Sequence, residues 1–262
     1  ISSQSNLLCN GANNGSASIT ANGGAGSYTY SWSPTGGSSS SITNQIAGTY
    51  TCNIKDANLC SKIQTVTITA PAAITTSISA QTNVSCNGGN NSSVFVSANG
   101  GTGTLTYSWL PSGGNASLAN GLTAGNYTCN IMDANNCLKS QTVIITQPNP
   151  ITTSISSQTN VSCFGGSNAA ATISVTSVGT ITYTWTSTGG AAATSNSVAA
   201  GNYTVTATDP ANGCTASDDV IVNIDGEPSM TIDTKDNPCP DVAKGFVIPN
   251  VTGGILPYRY NW

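Results

Sequence analysis

Cysteine is the residue type whose spacing in this chain points to chemistry. Cys9, Cys86, Cys163 and Cys239 follow one another at steps of 77, 77 and 76 residues, with Cys60, Cys137 and Cys214 at corresponding later positions. Recurrent thiols of this kind read as a disulfide framework formed in an oxidising, extracytoplasmic compartment. The third copy holds only Cys163 and Cys214, so the most economical pairs lie inside single copies: Cys9 with Cys60, Cys86 with Cys137, and Cys163 with Cys214. Cys239 then awaits a partner beyond Trp262. Closing a loop of about 50 residues contributes roughly 4 kcal/mol in the chain-entropy model, a useful staple for a small module with a thin core. Cys52 and Cys129 stand where the third copy has Val205, among apolar neighbours on the same face, and read as buried free thiols. A rival pairing, Cys52 with Cys60 and Cys129 with Cys137, leaves Cys9 and Cys86 without partners.

Other chemistry finds little support. The chain has no histidine, which removes imidazole bases, His-activated nucleophiles and imidazole metal ligands. Gly24-x-Gly26 and Gly101-x-Gly103 lack the third glycine and the following helix of a phosphate loop, and read as β-turns. Asp56, Asp133 and Asp209 recur beside Asn58, Asn135 and Asn212; turn capping accounts for them without calcium. Seven of the ten acidic residues fall between Asp218 and Asp241. Asp218, Asp219, Asp225 and Glu227 there are the candidate ligands for a structural calcium between modules, set against a solvated acidic junction, which is the preferred reading. No catalytic residue, cofactor-binding residue or cofactor is assigned. Asn126-Tyr-Thr and Asn202-Tyr-Thr match the glycan acceptor pattern, one that a Ser/Thr/Asn-rich composition also produces by chance.

The elements that must position these cysteines repeat with the same period. Trp32, Trp109, Trp185 and Trp262 are spaced by 77, 76 and 77 residues, each in a Tyr-x-Trp strand, so one folding unit is copied in tandem. Alternation marks the strands: Ala17/Ile19/Ala21 becomes Val94/Val96/Ala98 and Ala171/Ile173/Val175, and Tyr50/Cys52/Ile54 becomes Tyr127/Cys129/Ile131 and Tyr203/Val205/Ala207. Trp32, Trp109, Trp185 and Trp262 are assigned to the core rather than to a sugar-stacking platform, because Leu105 and Ile181 share their face. Gly and Asp-Ala-Asn turns separate the strands, and no amphipathic helix is present. The expected fold is all-β: tandem immunoglobulin-like antiparallel β-sandwich modules of about 77 residues and roughly seven strands, forming a semi-rigid rod. Pro71 and Pro148 place the boundaries at 1–71, 72–148, 149–226 and 227–262, the first module truncated at its N-terminus and the fourth partial, in a longer parent polypeptide.

Composition narrows the partners. Charged residues make up 6% of the chain, with six Lys+Arg against ten Asp+Glu and a net charge of -4. Such a surface cannot neutralise a run of phosphates, which argues against nucleic acid and anionic membranes. No apolar run approaches the roughly 18 residues of a membrane helix, and no leader begins the sequence, so the segment is expected to be soluble and mature.

The ordered blocks Cys9-Asn-Gly11, Gly23 to Trp32, Ala47-Gly-Thr-Tyr50 and Asp56 to Cys60, with equivalents in each later copy, resemble the SprB-type repeat of large surface adhesins in gliding Bacteroidota. Leu59 and Asn136 depart from it where Gly is expected, and Cys52 and Cys129 where Val is usual. The resemblance implies export by type IX secretion, display at the outer-membrane surface, and no catalytic residues. The expected function is a non-enzymatic adhesive filament region acting in attachment and gliding. Its expected partners are a surface polysaccharide or solid substratum, neighbouring repeats, and outer-membrane secretion or motility machinery. The alternative is a stalk or carbohydrate-binding accessory region of a secreted polysaccharide-degrading enzyme.

Overall fold

The computed structural model describes every residue except 178, 187–189, 227, 236–245, 255 and 262. Glu227, Cys239 and Trp262 therefore lie outside the described residues. All regular structure among those described is β. The first copy contributes β1 (Ser3–Ser5), β2 (Gly15–Ser18), β3 (Thr29–Ser33), β4 (Ser41–Gln45), β5 (Gly48–Lys55) and β6 (Ser61–Ile68). The second contributes β7 (Thr75–Thr82), β8 (Ser92–Asn99), β9 (Thr106–Leu110), β10 (Leu118–Leu122), β11 (Gly125–Met132) and β12 (Leu138–Ile145). The third contributes β13 (Thr152–Thr159), β14 (Ala169–Thr176), β15 (Thr182–Trp185), β16 (Thr194–Val198), β17 (Gly201–Asp209) and β18 (Cys214–Val222). A last antiparallel pair, β19 (Ser229–Lys235) and β20 (Phe246–Thr252), follows.

Each copy forms two three-stranded antiparallel sheets: β1-β2-β4 with β3-β5-β6, β7-β8-β10 with β9-β11-β12, and β13-β14-β16 with β15-β17-β18. A separate hydrophobic core fills each sandwich. Leu7, Ala17, Ile19, Trp32, Ile42, Tyr50, Cys52, Val66 and Ile68 make the first. The second runs from Val84 to Ile145 and the third from Val161 to Val222. Period-two alternation builds these cores, because successive strand side chains face opposite sides. On β8, Ser92, Val94 and Val96 are buried while Phe95 faces outward.

The expected count of seven strands per module becomes six. The seventh segment pairs through one backbone bond in the first two copies, Leu7 N to Thr69 O (2.9 Å) and Val84 N to Thr146 O (3.0 Å), and through two in the third, Val161 N to Asn223 O (2.9 Å) and Asp225 N to Val161 O (2.8 Å). Side chains replace the rest of the ladder. Asn6, Asn83 and Asn160 accept from the N–H groups of Thr69, Thr146 and Asn223 (3.0, 3.2 and 3.2 Å). Gln4, Gln81 and Gln158 donate to the carbonyls of Thr67, Ile144 and Ile221 (2.7, 2.8 and 2.5 Å). A Gln-x-Asn clamp thus closes the same sandwich edge three times.

Buried aromatic residues pin the loops that follow them. Trp32, Trp109 and Trp185 donate indole N–H bonds to the carbonyls of Ser39, Ala116 and Ala192, each 2.9 Å. Tyr50, Tyr127 and Tyr203 reach back four residues to the carbonyls of Ile46, Thr123 and Ala199, in the manner of an immunoglobulin tyrosine corner. By backbone contacts the chain divides into two compact units. One is Ile1–Val84 with Gly88–Gln147, and the other is Ser85–Asn87 with Pro148–Trp262.

Candidate functional site

The β5–β6 hairpin and its copies carry the residues that recur with the cysteines. Lys55 pairs with Ser61, leaving Asp56 to Cys60 as a five-residue loop. The Asp56 carboxylate organises it: Oδ1 accepts from Asn58 N (3.0 Å) and Cys60 N (2.9 Å), and Oδ2 reaches the glycine-rich loop to accept from Ala25 N (3.0 Å). Asp133 repeats this with Asn135, Cys137 and Thr102 (2.9, 2.9 and 2.8 Å). In the third copy the aspartate and cysteine are one residue further apart and pair with each other, Asp209 with Cys214, and the bond to the cysteine N–H passes from the aspartate to Asn212 (3.0 Å). The Asp56 and Asp133 carboxylates are thus committed to backbone N–H groups.

Hydrogen bonds to an ionised carboxylate favour that form. Asp56 is held below the ordinary carboxylate range chiefly by the Ala25 N–H, against burial and with help from Cys60 and Asn58. For Asp133 burial is the largest single influence and pushes upward; the N–H groups of Cys137, Thr102 and Asn135 together outweigh it, so the net shift is downward.

The structure corrects the expected cysteine pairs. Cys9 bonds to Cys137 and Cys86 to Cys214, with Cα–Cα distances of 5.6 and 5.5 Å and a sequence separation of 128 in both. Cys60 and Cys163 are exposed free thiols, so the pairs Cys9–Cys60, Cys86–Cys137 and Cys163–Cys214 do not form, and neither do the rivals Cys52–Cys60 and Cys129–Cys137. The reason lies in strand direction. Cys9 follows Leu7, which is hydrogen-bonded to Thr69 past the end of β6, whereas Cys60 precedes the start of β6 at Ser61. Eight strand residues of about 3.4 Å each put them roughly 25 Å apart, far beyond the 4.4–6.8 Å Cα separation a disulfide spans. The cysteine turn and the hairpin tip occupy opposite ends of one sandwich. A bond forms only between the turn of one copy and the tip of the next.

Within the first unit, the turn and the linker after β6 seat together on the second copy. Asn10 Nδ2 donates to Pro71 O (3.0 Å), Asn135 Nδ2 donates to Leu8 O (3.0 Å), and Gly101 N donates to Ala72 O (2.9 Å). Gly100 has φ +93 and lies so close to the linker that a Cβ there would stand 2.1 Å from Ala73 O. In the second unit, Asn87 Nδ2 donates to Pro148 O (3.1 Å) beside the Cys86–Cys214 bond. The cysteine turns need a left-handed residue, supplied by Gly11, Gly88 and Gly165 at φ 76, 75 and 72.

The other sequence candidates are dispersed. Cys52 and Cys129 are fully buried free thiols whose burial pushes their pKa up. They face Trp32 and Trp109 across the sheet. Those two tryptophans and Trp185 are buried in the cores, while Tyr30, Tyr107 and Tyr183 are half-buried against them, so the aromatic strands of these three repeats serve the core. Asp218 and Asp219 are neighbours on β18. Asp218 Oδ1 accepts from Asp219 N (3.0 Å), and Asp219 Oδ1 accepts from Thr204 Oγ1 (2.7 Å). Asp225 accepts from Asn160 Nδ2 (2.8 Å). Among the described residues no group of three or more His, Cys, Asp or Glu side chains converges. The residues sequence reasoning missed are Gln4 and Asn6 with their copies; their recurrence at the repeat period was the available signal.

Among solved structures, the chain is similar to three N-terminal domains of the Hoc outer capsid protein of bacteriophage RB49. There the identity is 13% and the TM-score 0.35, over 84% of this chain and 96% of that one. It is also similar to domains 7, 8 and 9 of the S-layer protein SbsC, at 12% identity and TM-score 0.25, over 74% of this chain and 79% of that one. No curated protein matches the chain. The SprB repeat model matches residues 1–37, 78–114 and 155–191. Each matched stretch holds one donor cysteine turn and one core tryptophan strand, so this chain carries three tandem SprB repeats.

Proposed function

We propose that this chain is a non-catalytic segment of a bacterial cell-surface adhesin, in which stacked SprB repeats extend from the outer membrane and serve attachment and gliding. The observation that carries the reading is the disulfide register: each bond joins the turn of one repeat to the hairpin tip of the next. Bonds of this kind form in oxidising compartments and suit a protein exposed outside the cell. An adhesive filament must pass force along its length, and cross-links between successive repeats shorten the length of chain that force can draw out. A weakly charged surface of Ser, Thr, Asn and Gly suits contact with polysaccharide or solid substrata through short-range hydrogen bonding. Export by the type IX route and coupling to a motility machine belong to the same reading.

The test uses beads coated with antibody against these repeats, tracked on gliding cells of the source organism. Beads carried along the surface are the expected result. Beads that bind and stay fixed would replace the motile adhesin with a static stalk.

A further inference from the structure

We propose that the face of the first repeat around Cys60 is an acceptor surface for another SprB repeat, seated by its Cys-x-Gly turn and proline linker and locked by a disulfide to Cys60. The equivalent cysteines, Cys137 and Cys214, are each bonded to a cysteine 128 residues earlier. Cys60 alone of the three is a free, exposed thiol.

The acceptor machinery is complete in the first repeat. Asp56 holds Ala25, Asn58 and Cys60 as Asp133 holds Thr102, Asn135 and Cys137. What differs is the cover. Gly100 would place a Cβ 2.1 Å from Ala73 O, whereas its counterpart Gly23 has nothing within 4 Å. Gly101 is met by Asp133 and by the Ile74 side chain, whereas the three atoms nearest Gly24 all belong to Asp56. Ile131 and Asp133 are buried beneath the linker side, while Ile54 and Asp56 are half-buried. The uncovered face is a cavity of about 430 Å³ lined by Gly23, Gly24, Tyr28, Ile54, Asp56 and Cys60 among others. The interface already formed on the second repeat therefore continues onto the first, and its occupant is a repeat of the same kind. Cys163, free on the turn Cys163-Phe164-Gly165, is the matching donor group.

Closing the bond removes two protons and two electrons from the two thiols. A small-molecule disulfide such as oxidised glutathione accepts them and leaves as two thiols.

The test places a copy of residues 72–154 directly before Ile1 of the full chain. This sets the copied Cys86 128 residues ahead of Cys60, the separation of the two formed bonds. After oxidation with oxidised glutathione, peptide mass spectrometry is expected to find the copied Cys86 bonded to Cys60. Maleimide labelling of Cys60, complete in the parent chain, should drop at least 20-fold. A Cys60 that stays free, or that bonds to Cys9 or to a second chain, overturns the proposal. Cys137→Ser in the parent chain decides independently of how the extended chain folds. It frees Cys9, and the proposal expects both Cys9 and Cys60 to take up maleimide; a Cys9–Cys60 bond would overturn it.

Discussion

Replacing Leu59 by glycine should stabilise the first repeat. Leu59 sits at φ 64 in the hairpin loop, with its side chain 77% exposed. A left-handed conformation costs an ordinary L-residue about 1–2 kcal/mol, and truncating so exposed a side chain forfeits little burial. Glycine relieves that strain but gives back about 0.4–1 kcal/mol through the greater freedom of the unfolded chain. The net gain is about 0.5–1 kcal/mol, a two- to five-fold rise in native-state hydrogen-exchange protection of the first core. Amides of Tyr50 and Cys52 report it without assuming that the whole array unfolds in one step. Asn136 fills the same position at φ 63 and Gly213 at φ 76. Because asparagine tolerates this region, Asn136→Gly should change protection in the second core by less than half as much. Destabilisation by Leu59→Gly, or equal gains at the two sites, would refute the reasoning.

Gly100→Ala meets Ala73 O as well as an unfavourable φ, and should destabilise the second repeat by about 2 kcal/mol or more; Gly23→Ala, in open space, should cost only about 1 kcal/mol from φ. Thermal unfolding of the two variants checks the difference. Asp56 and Asp133 have folded pKa values below the ordinary carboxylate value, so their contribution is fully present above about pH 4 and is lost as pH falls through the lowered folded values. Asp133→Asn should flatten the acid limb of a stability–pH curve for the second repeat, and an unchanged limb would exclude Asp133 as its source. Under single-molecule pulling, the two intact bonds leave only the stretch from Cys86 to Cys137 to extend between Cys9 and Cys214, roughly 50 residues or about 180 Å at about 3.5 Å each. Reductant should release roughly 200 residues, about 700 Å, and equal contour gains with and without reductant would exclude these bonds.

The repeat, the β class and the buried tryptophans were legible because each depends on local periodicity. A strand side chain's face is set by its parity, and a core position must stay apolar in every copy. The left-handed hairpin position was visible only as a departure, Leu59 and Asn136 in place of glycine, without its strain. The seventh strand was overcounted because alternation cannot distinguish a full ladder from one backbone bond supplemented by Asn6 and Gln4.

Cysteine spacing fixed which thiols recur, and it suits a bond within one repeat as well as a bond to the next. Only the tertiary structure chose between them. An antiparallel sandwich carries Cys9 past the far end of β6 and Cys60 at its near end, a strand length apart, so neither can meet the other. Seating the linker of one repeat on the glycine loop of the next then brings Cys9 to Cys137, a contact between chain segments that no local pattern encodes.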